Sequence, residues 1–317
     1  MSQKPTHAPA AKTTPKVDTR NMKTRVITAL VFAVFFLSLL YFGGGPTRLG
    51  GLDLGDGKVW SQWVYLLLMG FAIFAGIREM VLMARTRGFN PSLPSAVITG
   101  WLFLLHFHFE RNGSDPLPLW AVLFAGMLLI HFGALFFDEK LEEALPSQAI
   151  AWMSALVLGL GLGFQQKLFM LEGTLPKTGS RLVLALYIIT WFGDSTAYFV
   201  GSYFGKHKLA PKVSPKKSWE GALGNTLGNV AGAALMRATV CTEWSWVDVV
   251  ALGLFLGIVG QLGDLVESTW KRSAGVKDSN VGVSIPGHGG MLDRVDSLVL
   301  AAPAMYAYLR FAQGWTQ

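Results

Sequence analysis

The sequence predicts an all-α integral membrane protein that crosses the bilayer several times. Of its 317 residues, 51% are hydrophobic and only 15% are charged, whereas soluble domains carry about 25% charged residues. The mean hydropathy is +0.41, and the apolar residues are concentrated in long runs. This composition excludes a disordered chain and argues against a soluble enzyme. The single cysteine, Cys241, excludes an intrachain disulfide framework and a zinc finger.

Nine apolar runs are candidates for membrane-spanning helices, which need about 20 apolar residues each. They are residues 26–42, 60–82, 96–107, 117–137, 149–164, 182–204, 221–240, 246–266 and 298–311. The run 96–107 is short and the last is marginal, so eight spans are the alternative. The first run could belong to a signal peptide, but its length and the further runs favour an uncleaved helix.

The distribution of basic residues predicts the orientation of these spans. If the N-terminus is cytoplasmic and the sides alternate, most of the 27 Lys and Arg residues fall in cytoplasmic segments, as the positive-inside rule requires. Without the run 96–107, the lysine-rich loops would lie outside. We therefore predict nine spans with the N-terminus inside. The net charge of +7 then reflects topology and contact with bilayer lipids, and nucleic acid is not an expected partner.

Three regions differ in character. Residues 1–24 are polar and basic without an apolar period, which predicts a disordered cytoplasmic tail. Residues 25–180 form N-terminal membrane helices with few ionisable groups. Residues 181–317 contain spans interrupted by Asp, Glu, Gly, Asn and Gln. We expect the chemistry in this last region, with its cytoplasmic loops.

Asp194 lies inside an apolar run, where a carboxylate costs about 2.5–3.5 kcal/mol at the bilayer centre, so it is a candidate functional group. A buried Asp bonded to neighbouring hydroxyls is the alternative. The loop after it carries five lysines and two serines before a predicted helix start, which together favour phosphate binding. Attraction to anionic headgroups would also explain the lysines. These residues are Lys206, Lys208, Lys212, Ser214, Lys216, Lys217 and Ser218.

Acidic residues recur at helical spacing near the ends of the last two runs. Asp264, Glu267 and Lys271 would share one helix face, while Asp293 and Asp296 lie three residues apart at a helix start. Carboxylates alone form an oxygen-only site that suits a hard cation such as Mg²⁺. A self-satisfied ion network and helix capping are the alternatives.

A glycine-rich turn precedes the second acidic pair. His288 is flanked by Gly287, Gly289 and Gly290, and glycines allow backbone N–H groups to approach a ligand closely. His288 could contact that ligand or serve only the turn.

The C-terminal region resembles the phosphatidate cytidylyltransferases, also called CDP-diacylglycerol synthases. The signature comprises Ser268-Thr269-Trp270-Lys271-Arg272, Lys277-Asp278, Pro286-Gly287-His288-Gly289-Gly290 and Asp293-Arg294-Val295-Asp296. Further similarity covers Asp194-Ser195-Thr196-Ala197-Tyr198, Gly205-Lys206, Ser214-Pro215-Lys216-Lys217-Ser218-Trp219-Glu220-Gly221 and Gly263-Asp264. Trp270 replaces an aliphatic residue of the family pattern, and the segment 279–284 is longer than usual.

This resemblance implies a multi-pass inner-membrane enzyme of phospholipid biosynthesis with its active site at the cytoplasmic face. Such enzymes convert CTP and phosphatidate to CDP-diacylglycerol and pyrophosphate with Mg²⁺. Whether a second, monovalent cation assists stays open, and a homodimer is a further implication. The implied catalytic residues are Asp264, Asp293 and Lys271, and the implied metal ligands are Asp264, Asp293, Asp296 and Asp194. The implied substrate-binding residues are Lys206, Ser214, Lys216, Lys217, Ser218, Arg272, Lys277, His288, Gly289, Gly290 and Arg294.

Two other functions stay open. A membrane kinase acting on a lipid or polyprenol alcohol would use similar nucleotide-binding and metal-binding groups. An ion-coupled transporter would also place Asp194 and glycine-broken helices in the bilayer, although it would not need so many phosphate-binding groups. A CDP-alcohol transferase is disfavoured, because its run of four spaced aspartates is absent from the sequence.

Overall fold

The computed structural model describes residues 36–37, 46–49, 52–110, 115–137, 141–172, 177–279 and 289–312. The elements in chain order are β1 (Pro46–Leu49), β2 (Leu52–Asp56), α1 (Gly57–Arg85), α2 (Leu93–Phe109), α3 (Leu119–Phe137), α4 (Leu141–Met170), α5 (Thr178–Phe204), β3 (Lys208–Ala210), β4 (Ser214–Ser218), α6 (Trp219–Thr239), α7 (Trp246–Ala274) and α8 (Leu292–Phe311). Phe36 and Leu37, within the first predicted span, are helical. The predicted tail 1–24, His288 and residues 280–284 lie outside the described residues.

The prediction of a mostly helical membrane protein is confirmed. Each apolar run from residue 60 onward corresponds to one helix, which contains all of the run except at most two terminal residues. Five helical segments among the described residues are long and apolar enough to cross a membrane: Trp60–Arg85, Leu119–Phe136, Glu142–Met170, Thr178–Phe204 and Trp246–Ala274. Helix α2, with 17 residues, is shorter but also apolar. The count of nine spans and the position of the N-terminus stay predictions.

Two two-stranded antiparallel sheets, β1–β2 and β3–β4, add short strands that the sequence did not predict to this otherwise helical architecture. The second sheet folds the lysine-rich loop into a hairpin, in which Lys208 faces Ser218 and Ala210 faces Ser214. Val213 N donates to Ala210 O over 3.1 Å across the turn. Pro211 occupies the second turn position, where its fixed φ favours a β-turn. Lys208, Lys216 and Lys217 therefore have fixed positions on strands, whereas Lys212 lies in the turn between them.

Helices α5 and α6 approach each other closely because small residues line their contact. A Cβ on Gly224 would meet Val200 at 2.8 Å, and one on Gly232 would meet the Ile189 backbone at 3.0 Å. Close backbone approach through small residues is a common way to pack helices in membranes. This packing places the carboxyl end of α5 and the amino end of α6 side by side, next to the hairpin that joins them. Both of these ends are predicted to face the cytoplasm.

The predicted site residues gather at one end of the helix bundle. The carboxyl ends of α1 and α7 meet there, where Thr86 Oγ1 donates to Ala274 O over 3.1 Å. Ser218 caps α6 at the same end by accepting from Gly221 N at 3.1 Å. At the other end, Tyr308 Oη donates to Asp248 Oδ1 over 2.7 Å. Alternating helices thus bring residues that are distant along the chain to one end of the bundle.

Candidate active site

A cavity of about 510 Å³ lies between α5, α6, α7 and the hairpin. Its polar lining comprises Asp194, Tyr198, Ser202, Lys208, Lys216, Lys217, Ser218, Asn225, Gln261 and Asp264. Of the residues predicted from sequence, it brings together Asp194, Asp264, Lys216, Lys217 and Ser218. A concave site with a few convergent polar groups is the usual form of a small-molecule site.

The hairpin directs lysines toward an aspartate of α7. Lys217 Nζ lies 2.6 Å from Asp264 Oδ2, with both side chains partly buried. Ser268 Oγ donates to the other carboxylate oxygen of Asp264 at 3.4 Å. This pairing across the hairpin and α7 is invisible in the local sequence.

An amide network holds Asp194 at the cavity wall. Asn225 Nδ2 donates to Asp194 Oδ1 over 3.2 Å, and Gln261 Nε2 donates to Asn225 Oδ1 over 3.1 Å. Asn229 Nδ2 also donates to Asn225 Oδ1, over 2.8 Å. Asp194 is thus bonded to an amide of α6 and not to the hydroxyls beside it in sequence. The network ties α5, α6 and α7 together around the cavity.

A cluster of three carboxylates adjoins the cavity through Asp264. One oxygen each of Asp264, Glu267 and Asp296 lies within 4.8 Å of the others. Glu267 is only 1% exposed, and its Oε1 has no hydrogen-bond partner among the described residues. Asp296 Oδ1 accepts from Ser297 N at 2.7 Å. An oxygen-only donor set with an unsatisfied buried acceptor fits a hard divalent cation.

Asp293 adjoins this cluster at Glu267, with which it shares a lysine. Lys271 Nζ is 2.6 Å from Asp293 Oδ1 and 2.6 Å from Glu267 Oε2. Asp293 Oδ2 accepts from Gly290 N at 3.3 Å. Lys271 therefore stands between two acids: Glu267 lies four residues earlier on the same helix face, and Asp293 lies on α8.

The remaining predicted residues that the structure describes do not line the cavity. Arg272 Nε donates to Val213 O of the hairpin turn over 3.2 Å. Lys277 and Arg294 are exposed, whereas Ser214 is half-buried. Gly289 has φ +80°, a left-handed conformation that favours glycine.

Glu220 fixes the turn between α5 and β3, just before the hairpin. It accepts from Lys206 N at 3.2 Å and from the His207 ring Nδ1 at 2.7 Å. The backbone N–H of Glu220 itself, followed by the His207 side chain, lowers the pKa of this carboxyl to about 2. Glu220 lies outside the candidate membrane spans and stays ionised at neutral pH.

Several residues of the site were not predicted from sequence. Asn225, Asn229 and Gln261 are polar residues inside apolar runs, and their spacing of four on α6 is the signal that could have identified the two asparagines. Glu79 lies within the run 60–82 and is 4% exposed, although it contacts the start of α8. An intramembrane acid is itself a signal of function.

Known proteins are similar in sequence to this chain over nearly its whole length. The cytidylyltransferase family profile matches residues 23–312. A phosphatidate cytidylyltransferase of Brucella abortus is 33% identical over 289 residues, which cover 91% of this chain and 93% of that protein. The phosphatidate cytidylyltransferases of Bacillus subtilis and Haemophilus influenzae are each 31% identical, over 91% and 92% of this chain and 98% and 99% of their own lengths. The resemblance read from the signature residues is thereby confirmed, and the chain belongs to the cytidylyltransferase family.

Proposed function

We propose that this protein is a phosphatidate cytidylyltransferase, which forms CDP-diacylglycerol and pyrophosphate from CTP and phosphatidate. A phosphate oxygen of phosphatidate attacks the α-phosphorus of CTP and forms a new P–O bond. The bond from that phosphorus to the oxygen bridging the β-phosphate breaks, and pyrophosphate leaves with the electron pair. The observation that supports this reaction most directly is the cavity in which hairpin lysines meet carboxylates of two helices.

Lysines of the hairpin bind the phosphates in this proposal. Lys208, Lys216 and Lys217 line the cavity, and their charges would offset the repulsion between a triphosphate and a phosphate monoester. An ammonium group has three N–H donors, so Lys217 keeps donors for a phosphate oxygen while it pairs with Asp264. The reaction needs no enzyme nucleophile, because the phosphatidate oxygen itself attacks CTP. Catalysis of this kind depends on positioning and charge.

Phosphatidate enters from the side of the bilayer. Tyr198 lines the cavity, lies on the candidate span Thr178–Phe204, and is 70% exposed. A lipid could therefore bring its headgroup into the cavity while its acyl chains stay against the outer surface of α5.

The carboxylate cluster is the proposed Mg²⁺ site. Asp264, Glu267 and Asp296 would hold the ion, which would neutralise charge on the CTP phosphates. Compared with the set implied by the resemblance, this proposal keeps Asp264 and Asp296 and adds Glu267. Asp293 instead holds Lys271, and Asp194 orients Asn225 at the cavity wall.

We further propose nine spans, with the N-terminus and the active site on the cytoplasmic face of a bacterial inner membrane. The positive-inside distribution supports this orientation. A cysteine replacing Lys212 of the hairpin turn should react with a membrane-impermeant maleimide only from the cytoplasmic side. A cysteine replacing Asp115, after α2, should react only from the outside. Cys241 is buried and should add little background; reversed labelling would contradict the topology.

Position-specific labelling of CTP tests the reaction. Purified protein is incubated with phosphatidate, Mg²⁺ and CTP that is labelled either at the α-phosphorus or at the γ-phosphorus. A cytidylyltransferase moves only the α-label into lipid and releases the γ-label as pyrophosphate. Transfer of the γ-label to a lipid alcohol would indicate a kinase. A lipid that gains neither label would contradict the proposal.

A matched pair of lysine variants tests the cavity. Lys216 lines it, whereas Lys212 lies exposed in the turn of the same hairpin. We expect Lys216→Ala to raise KM for CTP or phosphatidate about tenfold, because one charge-assisted contact is lost. Lys212→Ala should leave both KM values close to those of the unaltered protein. Equal increases in KM for the two variants would indicate only a diffuse electrostatic attraction between the hairpin and the substrates.

A further inference from the structure

Glu79 is a buried carboxylate of the N-terminal region that reaches the start of α8. Its Oε1 accepts from Met291 N at 2.7 Å, and its Oε2 accepts from Leu292 N at 2.9 Å. Ser279 Oγ lies 2.9 Å from the same Oε2. Glu79 therefore contacts chain segments on both sides of residues 280–288, at sequence separations of 200 and 212 residues.

The first N–H groups of a helix have no partner within the helix, and a negative charge near them is favourable. Met291, which precedes α8, makes no side-chain capping bond. Glu79 supplies this cap from α1 through both of its oxygens. Two acceptors on two successive N–H groups fix both the position and the rotation of the helix start.

A continuous series of polar contacts connects Glu79 with the carboxylate cluster. Ser279 Oγ, next to Glu79, lies 3.0 Å from Asp293 Oδ2. Asp293 pairs with Lys271, which pairs with Glu267. Glu79 itself lines no part of the cavity, so it acts on the site only through these neighbours.

We infer that Glu79 is a positioning residue for cytidylyl transfer, which holds the start of α8 so that Asp293 and Asp296 keep their places against α7. This inference rests on the proposed function. It gives the N-terminal region a direct part in the active site, since α1 completes a helix end that carries two of the signature aspartates.

The test compares Glu79→Gln with Tyr65→Phe. Both changes nearly preserve size on α1; Tyr65 is also buried, but it bonds to Gln165, and neither residue lines the cavity. In Glu79→Gln the amide nitrogen would face a backbone N–H, so one contact is lost. We expect kcat to fall about 10- to 100-fold, as for other residues that orient metal ligands, with KM for CTP changed less than about threefold. Tyr65→Phe should keep kcat.

Hydrogen exchange gives a readout that does not depend on activity. The amides of Met291 and Leu292 should exchange faster in Glu79→Gln and at the unaltered rate in Tyr65→Phe. If Glu79→Gln fails to fold, Ser279→Ala, which removes a hydroxyl between Glu79 and Asp293, should lower kcat by a smaller factor.

Unaltered kcat in Glu79→Gln, or equal loss of kcat in Glu79→Gln and Tyr65→Phe, would overturn the positioning role. In both cases the unaltered protein would still form liponucleotide, so the proposed function would stand. An unaltered protein that forms none would instead overturn the proposed function.

Discussion

The two halves of the molecule bury polar side chains in different ways. In the N-terminal half, Gln165 Oε1 accepts from Tyr65 Oη at 3.2 Å and from Tyr187 Oη at 3.0 Å. Lys167, 3% exposed, pairs with Glu110 at 3.0 Å. In the C-terminal half, Lys217 and Asp264 also pair, but they line a cavity.

This difference separates a structural role from a functional one. A buried polar group surrounded by protein stabilises the contact between helices, whereas the same group beside a cavity has donors or acceptors left for a ligand. Intramembrane polarity alone therefore does not identify a site. Glu79 is an exception to this separation, because it belongs to the N-terminal half but caps a helix of the active site.

The largest expected effect is that of Asp264→Asn. Asp264 faces the cavity and belongs to the carboxylate cluster, and the substitution removes one charge while it nearly preserves size. We expect kcat to fall about a thousandfold or more, measured as liponucleotide formation over a range of Mg²⁺ concentrations. Near-normal turnover at saturating Mg²⁺ would refute the metal assignment and weaken the contrast between the halves.

An intermediate effect, on stability alone, is expected for Lys167→Met. This change leaves Glu110 without its cation in a partly buried position, at a cost of about 1–3 kcal/mol in the free energy of unfolding. The melting temperature in detergent should fall, while kcat per folded molecule should stay unchanged. A loss of kcat with unaltered KM and melting temperature would mean that the end of the bundle opposite the cavity takes part in catalysis.

The helices and the signature segment could be predicted because their information is local. Apolar runs specify helices that bury their backbone hydrogen bonds, so each run from residue 60 onward corresponds to one helix, apart from at most two terminal residues. The steps of three and four among Asp264, Glu267 and Lys271 likewise predicted a shared face, which the 2.6 Å pair of Lys271 and Glu267 confirms.

The contacts between distant segments could not be predicted, because no local pattern encodes them. Lys217 pairs with Asp264 and Glu79 with Met291 only after several helices have packed. Asp293 was predicted as a metal ligand from its spacing to Asp296, yet its rotamer brings it to Lys271. Tertiary packing, and not sequence spacing, determines which of several possible partners a side chain contacts.

The smallest expected effect is that of Glu220→Gln, which tests how firmly the hairpin must be held for the cavity to work. Glu220 binds Lys206 N and the His207 ring, but it touches no carboxylate of the cluster. Because this contact is exposed, we expect KM for CTP to rise only about twofold to fivefold, with kcat unchanged.

The pH dependence of this increase in KM follows from the low pKa of Glu220. A carboxyl with a pKa of about 2 in the folded protein, below its ordinary value of 4.5, contributes fully above the ordinary value and loses its contribution as the pH falls toward 2. The ratio of KM between Glu220→Gln and the unaltered protein should therefore persist from about pH 8 to about pH 5. A ratio that returns to one within this interval would show that Glu220 does not hold the hairpin as an ionised group.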